Sequence, residues 1–252
     1  MAQPPPATTR STVLILQFSE RVPPGHVQYF FDTHSIAYHI VRVDLPFVLR
    51  QYIDQQWRAI IVLGGPQGSY EEEQHPFLRD VKQLLAAQLQ TNTPILGICL
   101  GCQILADVIG GKAYKAAHPE LGYTSMQPTE PGRVDPLLSQ LEPHLTSALY
   151  LNHHGDTFTL PPTCPPLLTS ALHPQAFRYR NAFAVQFHPE ATLREFSSWL
   201  DGDSEERMQQ VGKSKAEVLE EVKAKEDRAV VASKEFFRVW WKEVQDKESV
   251  AP

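Results

Sequence analysis

The chain has 252 residues, 42% of them apolar and 21% charged, so it can close a core without disulfide or metal staples and is neither low-complexity nor wholly disordered. Lys+Arg 23 against Asp+Glu 29 leaves a formal charge of −6, which repels a phosphate backbone, and no nucleic-acid partner is expected. Three cysteines are too few and too odd a number for a secreted disulfide framework, and no run approaches the ~18–20 apolar residues of a membrane span; a soluble, cytoplasmic protein without membrane contact is expected.

Residues 1–10 carry the run Pro4 to Pro6, which feeds neither a helix nor a central strand, and read as a disordered tail. Residues 11–200 read as one domain. Short aliphatic runs at Val13–Phe18, Tyr38–Val43, Ala59–Leu63 and Pro94–Ile98 are expected strands, and residues 26–34, 76–90 and 100–109 have helical period. Continuous apolar strands separated by helices predict an α/β fold of three layers, a mostly parallel twisted sheet flanked by helices. From Ala113 to Phe187 the helical period fades and prolines punctuate extended runs such as Tyr179–Phe187, read as strands and loops added to the same sheet. Residues 201–252 read as a helical extension packed on the domain. Within it Ser214 to Val244 is one long charged helix, with Val218, Val222, Phe236, Phe237, Trp240, Trp241 and Val244 at helical spacing.

Three segments carry chemistry. In Pro94-Ile95-Leu96-Gly97-Ile98-Cys99-Leu100-Gly101-Cys102-Gln103 a strand runs into a helix, with a cysteine at the joint and a glycine two residues to either side. That is the pattern of a nucleophile elbow, whose strained turn lifts one side chain into the open at a helix N-terminus, where the dipole favours an anion. Cys99 is therefore the candidate nucleophile. In Ala184-Val185-Gln186-Phe187-His188-Pro189-Glu190 a buried strand ends in His-Pro-Glu. With an extended backbone, His188 and Glu190 point the same way, so that Glu190 fixes the ring of His188 and the other ring nitrogen faces Cys99. In Ile61-Val62-Leu63-Gly64-Gly65-Pro66-Gln67-Gly68-Ser69 the glycines let backbone approach a ligand, and the amides of Gly65 and Leu100 would form a two-donor oxyanion hole. Neither G-x-G-x-x-G nor a phosphate loop is present.

Other readings compete for the same residues. Cys99-Leu100-Gly101-Cys102 is also a C-x-x-C, the spacing of a redox pair, and Cys102 lies one turn from Cys99, where oxidation could join the two thiols. A zinc site would need a second ligand pair, and His153 and His154 are adjacent rather than spaced. Gln103 and Asp156 each have a capping or turn-forming role as the lesser alternative.

Taken together, G-G-P, G-I-C-L-G-C-Q and H-P-E resemble the signatures of the triad-type, class I glutamine amidotransferases. Leu151-Asn152-His153-His154-Gly155-Asp156-Thr157-Phe158 and Gln175-Ala176-Phe177-Arg178 are similar to segments of the stand-alone GMP synthase-like subgroup. The resemblance spans Val13 to the C-terminus. It implies that Cys99 attacks the carboxamide carbon of glutamine, with the oxyanion on the Gly65 and Leu100 amides. It also implies that His188 moves the proton to ammonia, that Glu190 holds His188, and that Gln103, Gly155 and Asp156 grip the α-amino and α-carboxylate end. No cofactor or metal is required. The substrate would be glutamine or a related γ-glutamyl compound, and a separate synthase subunit is the candidate partner, because these residues include no S-G-G-x-D-S-type pyrophosphatase loop. A stand-alone γ-glutamyl peptidase and a low-turnover binding protein are the alternatives. Departures from the pattern are Cys102 for a frequent histidine, His153 for a frequent tryptophan, and the loop Gln67-Gly68-Ser69. Tyr123 is a further candidate for the pocket.

Overall fold

The structure is a computed structural model describing residues 9–46 and 48–250. Residues 1–8 of the expected tail lie outside the described residues, and Thr9–Ser11 form a 3-10 turn. In chain order the elements are β1 (Val13–Gln17), α1 (His26–Thr33), β2 (Tyr38–Arg42), α2 (Arg50–Ile53), β3 (Ala59–Val62), α3 (Phe77–Gln88), β4 (Ile95–Ile98) and α4 (Leu100–Val108). There follow β5 (Lys112–Tyr123), β6 (Gln127–Pro128), α5 (Glu130–Arg133), α6 (Leu138–Thr146), β7 (Leu151–Thr159), β8 (Leu168–Thr169), β9 (Pro174–Tyr179) and β10 (Ala182–Val185). The chain closes with α7 (Leu193–Asp201), α8 (Glu205–Val211), α9 (Lys215–Lys223) and α10 (Glu226–Val250).

The main sheet runs β2-β1-β3-β4-β10-β9-β8-β6, parallel from β2 to β10 and antiparallel beyond. Every residue of β1, β3, β4 and β10 is buried, as expected of strands covered on both faces. Their alternating side chains feed two separate cores. Val13, Ile15, Ile61, Leu96 and Val185 face α1, α6 and α10, while Leu14, Leu16, Ile60, Val62 and Ala184 face α3 and α4.

Two expectations for the middle and end of the chain are corrected. The segment from Ala113 to Phe187 does not all join one sheet: β5 and β7 form a separate two-stranded ribbon, linked to the segment after β10 by the bridge between Leu151 and His188, and α5 and α6 interrupt the strands. The extended run Tyr179–Phe187 is a hairpin junction, with Arg180 at φ 53 turning β9 into β10. The single helix Ser214 to Val244 is two helices, broken after Lys223, because its two apolar groups serve different cores. Val218 and Val222 pack with Leu151, Phe196 and Met208. Phe237 and Trp241 of α10 instead meet the rings of Phe30 (6.3 Å) and Phe31 (5.6 Å) on α1. Tyr150 donates its hydroxyl to the Ala232 carbonyl at 3.1 Å, tying α10 to the start of β7.

Candidate active site

The C-terminal ends of β3, β4 and β10 converge on Cys99. It caps α4 at φ 52, ψ −106, a conformation costly for a residue with a side chain, and its N–H donates to the Val185 carbonyl at 2.9 Å. The flanking glycines are explained by close approach. A Cβ on Gly101 would lie 2.1 Å from the Val62 carbonyl oxygen, and one on Gly97 would lie 2.8 Å from the Gly101 oxygen. Both obstacles are backbone and cannot yield, so Gly101→Ala is expected to lower stability by about 3 kcal/mol. A thermal melt that leaves the midpoint unchanged would refute this account of the elbow.

His188 and Glu190 meet, although not by the extended backbone that the sequence suggested. The chain leaves β10 at Val185 and turns at Pro189 and Glu190. Within that turn His188 Nδ1 and Glu190 Oε1 are 2.7 Å apart, with both side chains buried. Cys99 lines the same cavity as the ring and lies near enough to act on its charge. Burial alone would lower the His188 pKa, but Glu190 and Cys99 outweigh it and raise it to about 10. The surroundings of the ring thus favour its protonated form. The His188 backbone N–H donates to Leu151 O at 2.7 Å, and Trp199 covers the ring at 4.8 Å between centroids.

Two further contacts hold this cluster, and sequence reasoning passed over both. A Cβ on Gly64 would lie 2.9 Å from His188 Cε1 and 3.4 Å from Cys99 Cβ, so the first glycine of the Gly-Gly-Pro run makes room for the ring and the base of the Cys99 side chain. His26, which the sequence offers only as one of ten scattered histidines, opens α1 and donates its N–H to Glu190 O at 2.8 Å. The preceding Gly25, at φ 51, has no space for a Cβ, which would lie 2.1 Å from the same oxygen.

Gly65 packs between Phe18 and Leu100. Among the described residues neither its N–H nor that of Leu100 has a protein acceptor, which leaves two donors beside Cys99. A cavity of about 370 Å³ opens there, bounded by Gly65, Cys99, Gln103, Gly155, Asp156 and His188. Gln103 uses its Nε2 internally, on Asp156 O (3.2 Å) and Gln186 Oε1 (3.1 Å), and only its Oε1 is free of a protein partner. Gly155 is open, with nothing within 4 Å of the place a Cβ would occupy. Burial raises the Asp156 pKa, a shift that nearby Tyr70 partly offsets and Glu71 reinforces. Tyr70 itself is raised to about 12 by burial and Asp156. Tyr123 lies away from the cavity, under the Lys225 ammonium at 5.3 Å.

Cys102 is fully buried in the α3 and α4 core, whereas Cys99 belongs to the core on the other face of the sheet. Burial, then the neighbouring Cys99 and Cys164, push the Cys102 thiol well up, so nothing here favours exchange with Cys99. Among the described residues, no three His, Cys, Asp or Glu side chains are grouped to hold a metal ion, and no helix is long and apolar enough to cross a membrane.

The family model for glutamine amidotransferase class-I matches residues 28–202, a segment that includes the elbow, the His-Pro-Glu turn and most of the residues lining the cavity. The chain belongs to this family. As class I glutamine amidotransferases go, it is similar to the glutamine-hydrolysing GMP synthase of Thermosipho melanesiensis, at 34% identity over 143 residues covering 56% of this chain and 25% of that protein. The chain thus spans about a quarter of the length of that relative. It is also similar to one subunit of the glutamine-hydrolysing GMP synthase of Sulfolobus acidocaldarius, at 31% identity over 141 residues, 54% of this chain and 69% of that one. A glutamine amidotransferase from Thermotoga maritima shares the fold at TM-score 0.72 and 24% identity, covering 92% of this chain and 98% of that chain. A glutamine amidotransferase from Methylobacillus flagellatus shares it at TM-score 0.76 and 24% identity, over 92% and 94%.

Proposed function

We propose that this chain hydrolyses the γ-amide of glutamine through a Cys99 thioester and releases ammonia. The Cys99 sulfur attacks the carboxamide carbon, and the oxyanion is held by the Gly65 and Leu100 amides. His188 gives its proton to the departing nitrogen as the C–N bond breaks, then accepts one from the water that cleaves the thioester to glutamate. Glu190 keeps the ring oriented and the imidazolium stable throughout. Gln103, Gly155 and Asp156 hold the amino-acid end, the ammonium of glutamine being matched to the Asp156 carboxylate. The observation that carries the reading is one buried cluster: a cysteine in a strained turn, beside an imidazole that a carboxylate holds at 2.7 Å, with two unpaired amides next to it. A separate synthase subunit is the proposed consumer of the ammonia, in keeping with the Sulfolobus relative, which is itself one subunit of such a synthase.

Ammonia and glutamate release from glutamine, and glutamate release from γ-glutamyl dipeptides, test the reading beside a Cys99→Ala control. Cys99-dependent ammonia release from glutamine is expected. Turnover confined to the dipeptides would make the chain a peptidase on the same triad, and no Cys99-dependent turnover of either would remove the enzyme reading.

A further inference from the structure

One wall of the cavity comes from residues beyond the matched family segment. Asp203 follows α7 and Arg207 lies on α8, and both line the cavity with Trp199 and His153. The Asp203 side chain is 5% exposed and holds two partners, His153 Nε2 through Oδ2 at 2.9 Å and Arg207 Nη1 through Oδ1 at 3.1 Å. His153 in turn lies against Trp199, at 5.7 Å between ring centroids, and Trp199 against His188. The arginine is thus linked by direct contacts to the reacting cluster.

Arg207 is only half used. Its Nε and Nη2 are shielded from solvent and have no hydrogen-bond partner. Those two atoms form one edge of the guanidinium, the pair of parallel N–H groups that grips a carboxylate with two bonds. Charged donors kept dry and unpaired are costly, and a pocket wall is where a ligand can relieve them. At the rim, Arg21 adds a second cation, with no ion-pair partner among the described residues, and its carbonyl accepts the Trp199 indole N–H at 2.7 Å.

We infer that Arg207 determines specificity by receiving a carboxylate of the substrate on its Nε–Nη2 edge, which restricts the enzyme to γ-glutamyl amides that carry a free carboxylate. The inference rests on the proposed hydrolysis and adds the substrate class. The carboxylate has two sources: the α-carboxylate of the glutamyl unit, or the carboxylate of an amino-acid leaving group.

Steady-state kinetics of the wild type and of Arg207→Gln and Arg207→Lys separate these sources, using glutamine against its α-amide and γ-glutamylglycine against γ-glutamylglycinamide. The wild type is expected to favour the acid over the amide in one pair. Arg207→Gln should erase that preference, raising KM for the acid roughly 10- to 100-fold while leaving the amide and kcat little changed. Arg207→Lys, which keeps the charge without the fork, should recover part of it. Loss of preference in the first pair assigns the α-carboxylate, and in the second the leaving group. Arg207→Gln retaining both preferences, or slowing acids and amides alike, overturns the inference and leaves the proposed hydrolysis standing. If the wild type shows no Cys99-dependent turnover of any of the four compounds, the proposed function fails and the inference falls with it.

Discussion

Cys99→Gly is expected to abolish turnover and still melt no lower than the wild type. The expected loss is about 10⁴-fold or more in kcat, the scale seen when a covalent nucleophile is removed from a triad. The stability result is what distinguishes this site from an ordinary core cysteine. Cys99 is 6% exposed, and truncating a buried side chain normally costs stability. Here the residue sits at φ 52, ψ −106, where a non-glycine backbone is strained by about 1–3 kcal/mol, and glycine relieves that strain. The relief offsets the lost contacts. Paired melts and progress curves check it, and a glycine variant several degrees less stable would mean that the turn is not strained as described.

Glu190→Gln is expected to reduce kcat by roughly 10²- to 10⁴-fold and to cost about 3 kcal/mol of stability at pH 7. Burial works against a charged His188, and Glu190, together with Cys99, reverses this to hold the pKa near 10 instead of 6.5. A folded-state pKa raised above the unfolded value contributes stability that is complete below about pH 6.5 and is lost as the pH rises through about 10. The gap in stability between wild type and Glu190→Gln should therefore be widest near and below neutral pH and close toward pH 10 and above. Denaturant melts across that range measure it. A gap that does not narrow with rising pH would show that the imidazolium is not what Glu190 stabilises. Glu190 has a further weakness, since its Oε2 is buried with no partner, so the carboxylate is held through Oε1, while the His26 amide holds the Glu190 backbone carbonyl.

The parallel half of the sheet was legible because each strand there is short, wholly apolar and followed by a helix of clear period. Val13, Tyr38, Ala59 and Leu100 open their elements at the expected residues. Local pattern could not show that β5 and β7 leave the sheet, since a strand's partner is a long-range fact: Lys112 pairs with Thr159. Nor could period alone divide the C-terminal helices, because a helix broken at Ala224 and Lys225 keeps its apolar spacing on both sides of the break.

For the site, the difference is between chemistry and support. Cys99, His188 and Glu190 announce themselves by residue type and glycine or proline spacing, and the structure brings the three side chains together. The parts that position them do not. Gly64, Gly25 and the His26 amide act by absence of a side chain or through backbone, which leaves no chemical mark in a sequence. Asp203 and Arg207 stand in the stretch read only as a helical extension packed on the domain, with Trp199 just before it, and only the fold turns them toward the cavity. A signal was available in one case: His153, where tryptophan is frequent in similar proteins, needed a new partner, and Asp203 supplies it at 2.9 Å.

Rapid acid quenching of the protein during turnover of glutamine, followed by mass measurement of the intact chain and its peptides, addresses the reacting sulfur itself. The account predicts a transient gain equal to one glutamyl group, located on the peptide containing Cys99 and absent from Cys99→Ala. Glutamate formed at full rate with no adduct under conditions that trap thioesters, or an adduct on Cys102 or Cys164, would contradict it.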